Sequence, residues 1–260
     1  MLVYGAMQSY TDIFCFSTTR HGGFSEGAYA SFNCNGYCCD RHKAVARNRE
    51  LLCGLLPQRP ETLLIPHQTH GTEVRTVDEA FLQLPDAART EALEGVDALM
   101  TRIPGQCLCI STADCIPVLC YDRRLRAVAA VHAGWRGTVA RIVGKTLRQM
   151  GEVYGTRPED VVACIGPGIS LDAFEVGDEV YQAFCEAGFP MERIARRDSK
   201  WHLDLWEANR LQLLEQGVPE AQVSVAGICT YRQNDRFFSA RRQGIRSGRI
   251  LSGILLMHPF

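Results

Sequence analysis

Three short segments of this 260-residue chain each carry a histidine or a cysteine where an apolar, strand-like run ends. They are HQTHG with His67 and His70, TADC with Cys115, and VHAGW with His132. Strand ends in α/β proteins expose reactive side chains above a rigid scaffold. Two imidazoles and one thiolate would form a three-ligand zinc site with its fourth position open to water or substrate. Cys115 with His132 equally fits a cysteine nucleophile and its base, so the residues alone leave both chemistries open.

Asp114, directly before Cys115, has two interpretations. Its carboxylate orients a ligand histidine or accepts a proton from a substrate. Alternatively, it is an aspartate of a tight turn that bonds to its own backbone.

Several arginines are candidates for binding an anion. Arg136 follows the His132 strand and falls near the start of an expected helix, where backbone N–H groups and the helix dipole favour negative charge. Arginines among glycines and serines form a second group of candidates: Arg20, Arg241, Arg242, Arg246 and Arg249. A solvated surface arginine is the ordinary alternative for each.

Periodicity predicts a mixed α/β domain of residues 1–260 that would position these side chains. Strands are expected at IFCFSTT, on both sides of the HQTHG and STAD turns, at AVAAVHAGW, VVACIGPGIS and VSVAGICT, and at RILSGILLM. Helices are expected at RHKAVARNRELLCGLL, after Gly137, at DEVYQAFCEAG and at LDLWEANRLQLLEQGV.

Composition excludes several classes of partner. The formal net charge of −1 gives no electrostatic reason to expect a nucleic acid or an acidic membrane. The N-terminus lacks the features of a signal peptide, and the longest apolar runs are too short to span a bilayer. We therefore expect a cytoplasmic protein whose twelve cysteines are free thiols.

Other motifs are weaker. CIGPGIS lacks the lysine of a phosphate-binding P-loop and the spacing of a dinucleotide fingerprint. CNGYCC, with Cys34, Cys38 and Cys39, is followed by His42, but its spacing matches no standard zinc finger, so incidental thiols are favoured. The H-x-E and P-C-x-x-C signature of nucleobase zinc deaminases is missing.

Taken in order, the segments TRHGGFSEGAYASFN, QTHGTEV, DALMT, STADCIPVLCYD, VAAVHAGWRGT, CIGPGIS, FEVGDEV, LDLWEANRLQLL and CTYRQNDRFFSARRQGIRSGR resemble the multifunctional purine nucleoside phosphorylase family. Its members are also described as laccase-domain or polyphenol-oxidase-like proteins and as peptidoglycan-editing factors. The resemblance extends from Thr19 to Leu256.

The resemblance implies a zinc site of His70, Cys115 and His132, with His67 outside it; the older family name makes copper(II) an alternative ion. It also implies an α+β fold: a layered mixed β-sandwich flanked by helices, as in cysteine hydrolases of the deamidating-toxin type. The implied partners are purine nucleosides and phosphate, and the implied assembly is a monomer or a small homo-oligomer.

The implied reactions are phosphorolysis of adenosine, inosine and methylthioadenosine, and deamination of adenosine. On this view Gly134 lets the chain turn beneath the metal, Trp135 packs the turn or stacks a base, and Arg136 faces the anion. Three other functions remain: a Cys115–His132 amide hydrolase acting on cell-wall precursors, a copper-dependent phenol oxidase, and a non-enzymatic scaffold. A phenol oxidase is the weakest, because a multicopper site needs many more histidines.

Overall fold

A computed structural model describes residues 1–258. The strands, in chain order, are β1 (Leu2–Val3), β2 (Ile13–Ser17), β3 (Thr62–Leu64), β4 (Glu73–Val77), β5 (Val96–Thr101), β6 (Gln106–Thr112), β7 (Ile116–Asp122), β8 (Ala127–Ala133), β9 (Val161–Ile165), β10 (Glu175–Val176), β11 (Ala195–Arg197), β12 (Trp201–Leu203), β13 (Val223–Val225) and β14 (Ile250–Leu256). The α-helices are α1 (His42–Leu55), α2 (Glu79–Leu82), α3 (Asp86–Ala92), α4 (Trp135–Val139), α5 (Ile142–Tyr154), α6 (Asp178–Glu186), α7 (Met191–Ile194), α8 (Leu205–Glu215) and α9 (Ala240–Gln243).

Two large mixed sheets form the centre of the molecule. One has the strand order β1-β2-β14-β6-β3, and the other has the order β13-β9-β7-β8-β5-β4. A small third sheet pairs β10, β12 and β11. Every residue of β6, β7, β8 and β14 is buried, which explains why these segments read as continuous apolar runs rather than alternating ones.

The two large sheets pack face to face and are covered by helices on their outer faces. Alternate side chains such as Leu108 of β6 and Val128 of β8 meet between the sheets. Val131 of β8 points the other way, into a core shared with α5 and α8, while Leu52 of α1 packs on Cys109 of β6. The predicted α+β fold, a mixed sandwich flanked by helices, is confirmed.

The predicted helix after Gly137 is confirmed as α5, but it begins later than expected because a short helix, α4, precedes it. The short helix starts at Trp135, with Gly134 as its extended N-cap residue, and ends at Val139. Arg141 then adopts a left-handed conformation with φ 61°, and the second helix begins at Ile142. A left-handed residue interrupts the hydrogen-bonded ladder and turns the chain, which no apolar periodicity reveals.

Two connections between the large sheets determine where the reactive residues lie. The chain passes from the five-stranded to the six-stranded sheet between β3 and β4, and again between β6 and β7. His70 lies in the first connection and Cys115 in the second. His132 is the next-to-last residue of β8, which pairs antiparallel with β7. Among the described residues, no helix has the length and apolarity required to cross a membrane.

Candidate metal centre

The structure brings His70, Cys115 and His132 together, although the first and the last lie 62 positions apart in the sequence. One ligand atom from each side chain lies within 4.8 Å of the other two. The two imidazole rings meet edge to face, with centroids 4.9 Å apart. His132 is buried, Cys115 is half-buried and His70 is exposed, so the cluster has a closed inner side and an open outer side.

One carboxylate, that of Asp97 at the start of β5, holds two of these three segments. Its Oδ1 atom lies 2.7 Å from Nδ1 of His132 and accepts a hydrogen bond of 3.1 Å from the backbone N–H of His70. Its Oδ2 atom accepts from the N–H groups of Gly71 at 2.7 Å and Thr69 at 3.2 Å. With Nδ1–H of His132 donated to Asp97, the lone pair of Nε2 is left for a metal ion or a proton, as in carboxylate–histidine–zinc sites.

The ionisation of the cluster favours a thiolate. Burial by itself raises the pKa of the Cys115 thiol, but the imidazoles of His132 and His70 outweigh it and lower the pKa to about 6. Burial opposes a charged His132, yet the Cys115 thiolate and the Asp97 carboxylate raise its pKa to about 9. Asp97 is buried too, and its hydrogen bonds from His132 and the neighbouring backbone keep its pKa below the ordinary value. Without a metal, the site therefore holds a thiolate beside an imidazolium.

Gly134 is required for space rather than for a special backbone conformation. Its φ of −68° and ψ of 168° are open to any residue. A Cβ atom at this position would lie 2.9 Å from Cδ2 of His70 and 3.1 Å from Sγ of Cys115. The sequence-based expectation that Gly134 permits a sharp turn is therefore replaced by a steric reason: the chain passes directly against two members of the cluster.

The donor set fits zinc. One thiolate and two imidazoles are ligands that Zn²⁺ prefers, and bonds of about 2.0–2.3 Å in a tetrahedron separate ligand atoms by about 3.3–3.7 Å. Atoms already within 4.8 Å reach that separation through small side-chain adjustments. Within residues 1–258 this is the only cluster of three or more such side chains, so the segment from Cys34 to His42 forms no second centre there.

The cluster lies in a pocket of ≈ 320 Å³. The pocket lining contains the triad and residues from four segments of the chain: Asn35, Tyr37, Cys38, His67, Gln68, Ser111, Thr112, Ala113, Ala240, Ile245 and Arg249. Gln68 braces one wall, because its amide donates to the Ser111 carbonyl at 2.9 Å and accepts from the Ser111 N–H at 2.7 Å. This volume is within the usual range for a small-molecule site.

Asp114 does not contact the histidines, and the orienting role suggested for it belongs to Asp97. Its carboxylate accepts from the hydroxyl of Thr230 at 2.7 Å and from the backbone N–H of Arg241 at 2.6 Å. Its own φ is 90°. The Asp114 side chain therefore holds the turn that carries Cys115 to the loop of Thr230 and to helix α9, rather than to its own backbone.

The candidate arginines divide sharply, because only Arg249 lines the pocket. Its guanidinium donates to the carbonyl groups of Ser247, Gly248 and Ile245, which fixes it at the pocket wall. Arg20 instead donates to the carbonyl groups of Ala30 and Asn234, which gives it a structural position.

The other arginines lie outside the pocket lining. The guanidinium of Arg241 donates to the carbonyl of Glu175, and that of Arg242 lies 5.2 Å from the centroid of the Tyr231 ring. Arg136 is exposed and sits 4.4 Å from the Trp135 ring centroid, while Trp135 packs against the helix-covered core. Neither residue of this last pair lines the pocket.

Asp97 and Gln68 are the functional positions that sequence reasoning missed. The signal for Asp97 was present: it is the only charged residue in the otherwise apolar strand VDALMT, and a fully buried carboxylate needs strong partners. Gln68 lies between the two histidines of HQTHG, but nothing in that pattern indicates that its amide pairs with the backbone of Ser111 in β6.

Known proteins resemble this chain over nearly its whole length. The sequence model of a family described as multi-copper polyphenol oxidoreductase laccase matches residues 14–257. A protein of Bacteroides thetaiotaomicron named purine nucleoside phosphorylase is 58% identical over 259 residues, covering 98% of this chain and 96% of that one. A protein named adenosine deaminase RL5, from an unknown prokaryotic organism, is 40% identical and covers 95% of both chains.

Solved structures share the fold. The crystal structure of YlmD from Geobacillus stearothermophilus superposes with a TM-score of 0.89 at 32% identity, over 96% of this chain and 94% of that one. The crystal structure of a Bacillus licheniformis hypothetical protein, YfiH, gives the same TM-score at 29% identity, with the same coverage of both chains.

Proposed function

Because this chain belongs to the laccase-domain family of multifunctional purine nucleoside phosphorylases, we propose that it is a zinc-dependent purine nucleoside enzyme. Its proposed reactions are phosphorolysis of adenosine, inosine and S-methyl-5'-thioadenosine to the free base and the (methylthio)ribose 1-phosphate, and deamination of adenosine to inosine. Relatives named for each activity support the two reactions.

The observation that carries the proposal is the convergence of His70, Cys115 and His132 in one open pocket. These three residues would hold the zinc ion, with the Cys115 thiolate as its charged ligand. When bound, zinc supplies Lewis-acid activation of a water molecule or of an electronegative atom of the reactants. The Asp97 carboxylate fixes the tautomer and orientation of His132 and, through the N–H of His70, the position of that residue's loop.

Phosphorolysis needs an anion positioned beside the anomeric carbon while the bond to the purine breaks. Arg249 is the candidate for this task, because it combines a permanent charge with a position on the pocket wall. Its three backbone acceptors hold the guanidinium in place and leave further N–H donors for phosphate oxygens. Positive charge at that point would bind and orient the phosphate dianion for its attack.

The test is metal analysis combined with product identification. Purified protein with about one zinc per chain should release adenine from adenosine only when phosphate is present. In the absence of phosphate it should convert adenosine to inosine. Removal of the metal with a chelator should abolish both products, and zinc should restore them. Full activity on adenosine in a metal-free preparation would refute the zinc-dependent reading.

A metal-free amide hydrolase is the second candidate, and one observation favours it. The Cys115 thiol with a pKa of about 6, His132 with a pKa of about 9, and the Asp97 carboxylate together have the arrangement of a nucleophile, a base and an orienting acid. Peptidoglycan precursors would be its substrates. Hydrolysis of an amide that survives complete chelation and is lost in Cys115→Ala would favour this candidate over zinc chemistry.

The family's description names copper, which makes copper(II) the alternative ion for the same ligands. A single three-residue cluster within residues 1–258 offers fewer histidines than a multicopper oxidase requires. Zinc is therefore the ion of the proposal, and the metal analysis above distinguishes the two.

A further inference from the structure

Two aromatic rings in the pocket wall have no part in the chemistry described above. Tyr37 and His67 stack on one another with centroids 4.4 Å apart and planes inclined by only 17°. Both line the pocket that contains the zinc ligands. Tyr37 remains 41% exposed, so the stack does not bury the ring. Nearly parallel rings at a pocket wall offer a flat, polarisable surface to a ligand.

The stack is held by groups outside it. Nδ1 of His67 lies 2.6 Å from a carboxylate oxygen of Glu94, and the backbone of His67 pairs with Leu93 and Gly95. The N–H of Tyr37 donates to the side chain of Asn35 at 2.6 Å, which closes a tight turn beneath the ring. Both rings are therefore oriented before any ligand arrives, which lowers the entropic cost of binding.

Ile245, another residue of the pocket lining, also indicates a ligand with a flat apolar face. Ile245 is 80% exposed, the highest exposure among the large hydrophobic residues described. Because it lines the same pocket as Tyr37, its side chain loses contact with water when a ligand fills that pocket. An exposed aliphatic side chain and an exposed aromatic ring in the lining of one pocket match the faces of a heteroaromatic ring system better than they match a sugar or a phosphate.

We propose that Tyr37, supported from behind by His67, is the stacking surface for the purine base. The inference rests on the proposed function and assigns the base to a part of its pocket. A bicyclic purine gains more from such a surface than a single-ring pyrimidine does, because it covers more of the tyrosine face. A base stacked there lies in the pocket that His70, Cys115 and His132 also line.

A purely structural role makes a different prediction. If the stack only fastened the loop that carries Tyr37, its loss would lower thermal stability and disturb every ligand of the pocket alike. A stacking surface instead affects ligands that contain a base and spares those without one.

The experiment measures equilibrium binding of inosine, in the absence of phosphate, and of ribose 1-phosphate to the zinc-loaded protein by calorimetry. Tyr37→Leu should weaken inosine binding about tenfold (about 1.4 kcal/mol) and leave ribose 1-phosphate within about twofold. Tyr37→Trp should restore inosine binding, because it restores an aromatic face. Tyr181→Leu is the matched control: Tyr181 stacks on Trp201 at 3.7 Å, outside the pocket, and its loss should change neither affinity.

The outcomes separate the two proposals. An active wild-type enzyme whose Tyr37→Leu variant binds inosine as tightly as Tyr181→Leu does would overturn the stacking surface and leave the proposed function standing. Equal weakening of both ligands by Tyr37→Leu would overturn it in favour of the loop-fastening role. A wild-type protein that binds inosine through Tyr37 but never cleaves it would overturn the proposed function alone. A wild-type protein that neither binds nor cleaves nucleosides would overturn both.

Discussion

The close approach of Gly134 to two members of the triad makes Gly134→Ala the sharpest test of the metal centre. The added Cβ would stand 2.9 Å from Cδ2 of His70 and 3.1 Å from Sγ of Cys115. Ordinary carbon contacts lie at about 3.5–4.0 Å, so the His70 ring must retreat by about 0.6 Å. Metal–ligand distances tolerate only about 0.2 Å. Overpacking of this kind costs about 1–3 kcal/mol, which corresponds to a loss of affinity of about 5- to 150-fold.

The backbone itself accommodates alanine, since φ is −68° at this position. The fold should therefore be retained, while zinc affinity falls by about tenfold or more and kcat/KM for adenosine falls with it. Competition with a chromophoric chelator measures the affinity, and thermal unfolding of the metal-free protein measures the fold. Gly54→Ala, in α1, is the matched control, because a Cβ there meets no atom within 4 Å. Wild-type zinc affinity and wild-type turnover in Gly134→Ala would refute the reasoning.

Three further predictions follow from the same geometry. In metal-free protein, alkylation of Cys115 by iodoacetamide should accelerate as pH rises through about 6 rather than through about 9, because the lowered pKa makes the thiolate dominant above pH 6. Bound zinc should suppress the reaction. A midpoint near pH 9 would contradict the thiolate–imidazolium pair. Asp97→Asn should lower zinc affinity about 10- to 100-fold by removing the acceptor that orients His132, as chelator competition will show, and an unchanged affinity would rule out that role. Arg249→Met should raise the KM for phosphate about tenfold. Arg20→Met should leave that KM unchanged and lower the free energy of unfolding by about 1–3 kcal/mol in urea titrations. The reverse pattern would make Arg20 the phosphate-binding residue and Arg249 the structural one.

Much of the fold follows from local sequence. The helix α1 and the buried strands β6, β7 and β8 were predicted within a few residues, because long apolar periodicity is set by burial on one or both faces. What sequence did not indicate is that β6 and β7 lie in different sheets although three residues separate them. Sheet membership is decided by long-range packing, and a short turn between two apolar strands resembles a hairpin equally well.

The candidate site was likewise predictable only in part. Residue type and motif were enough to select His70, Cys115 and His132, which the structure brings together. The supporting carboxylate was assigned to Asp114 as one of two interpretations, because Asp114 is adjacent to the cysteine in sequence. Asp97 instead performs that task, from a strand that neighbours β8 only in space. The arginines could not be ranked beforehand either, since a guanidinium bonded to carbonyl groups and one facing a pocket look identical in sequence.

The strand order of the five-stranded sheet has a consequence for biosynthesis. β14 lies between β2 and β6 and pairs with both, so the earliest long strand cannot join that sheet until residues 250–256 have left the ribosome. β6 leads directly into the turn of Cys115, and the N–H of Arg241, just before β14, holds that turn through Asp114. Nascent chains must therefore wait, with two apolar strand edges unpaired, before the thiolate reaches its final position. We therefore expect the cluster to bind metal only after β14 has paired with β6.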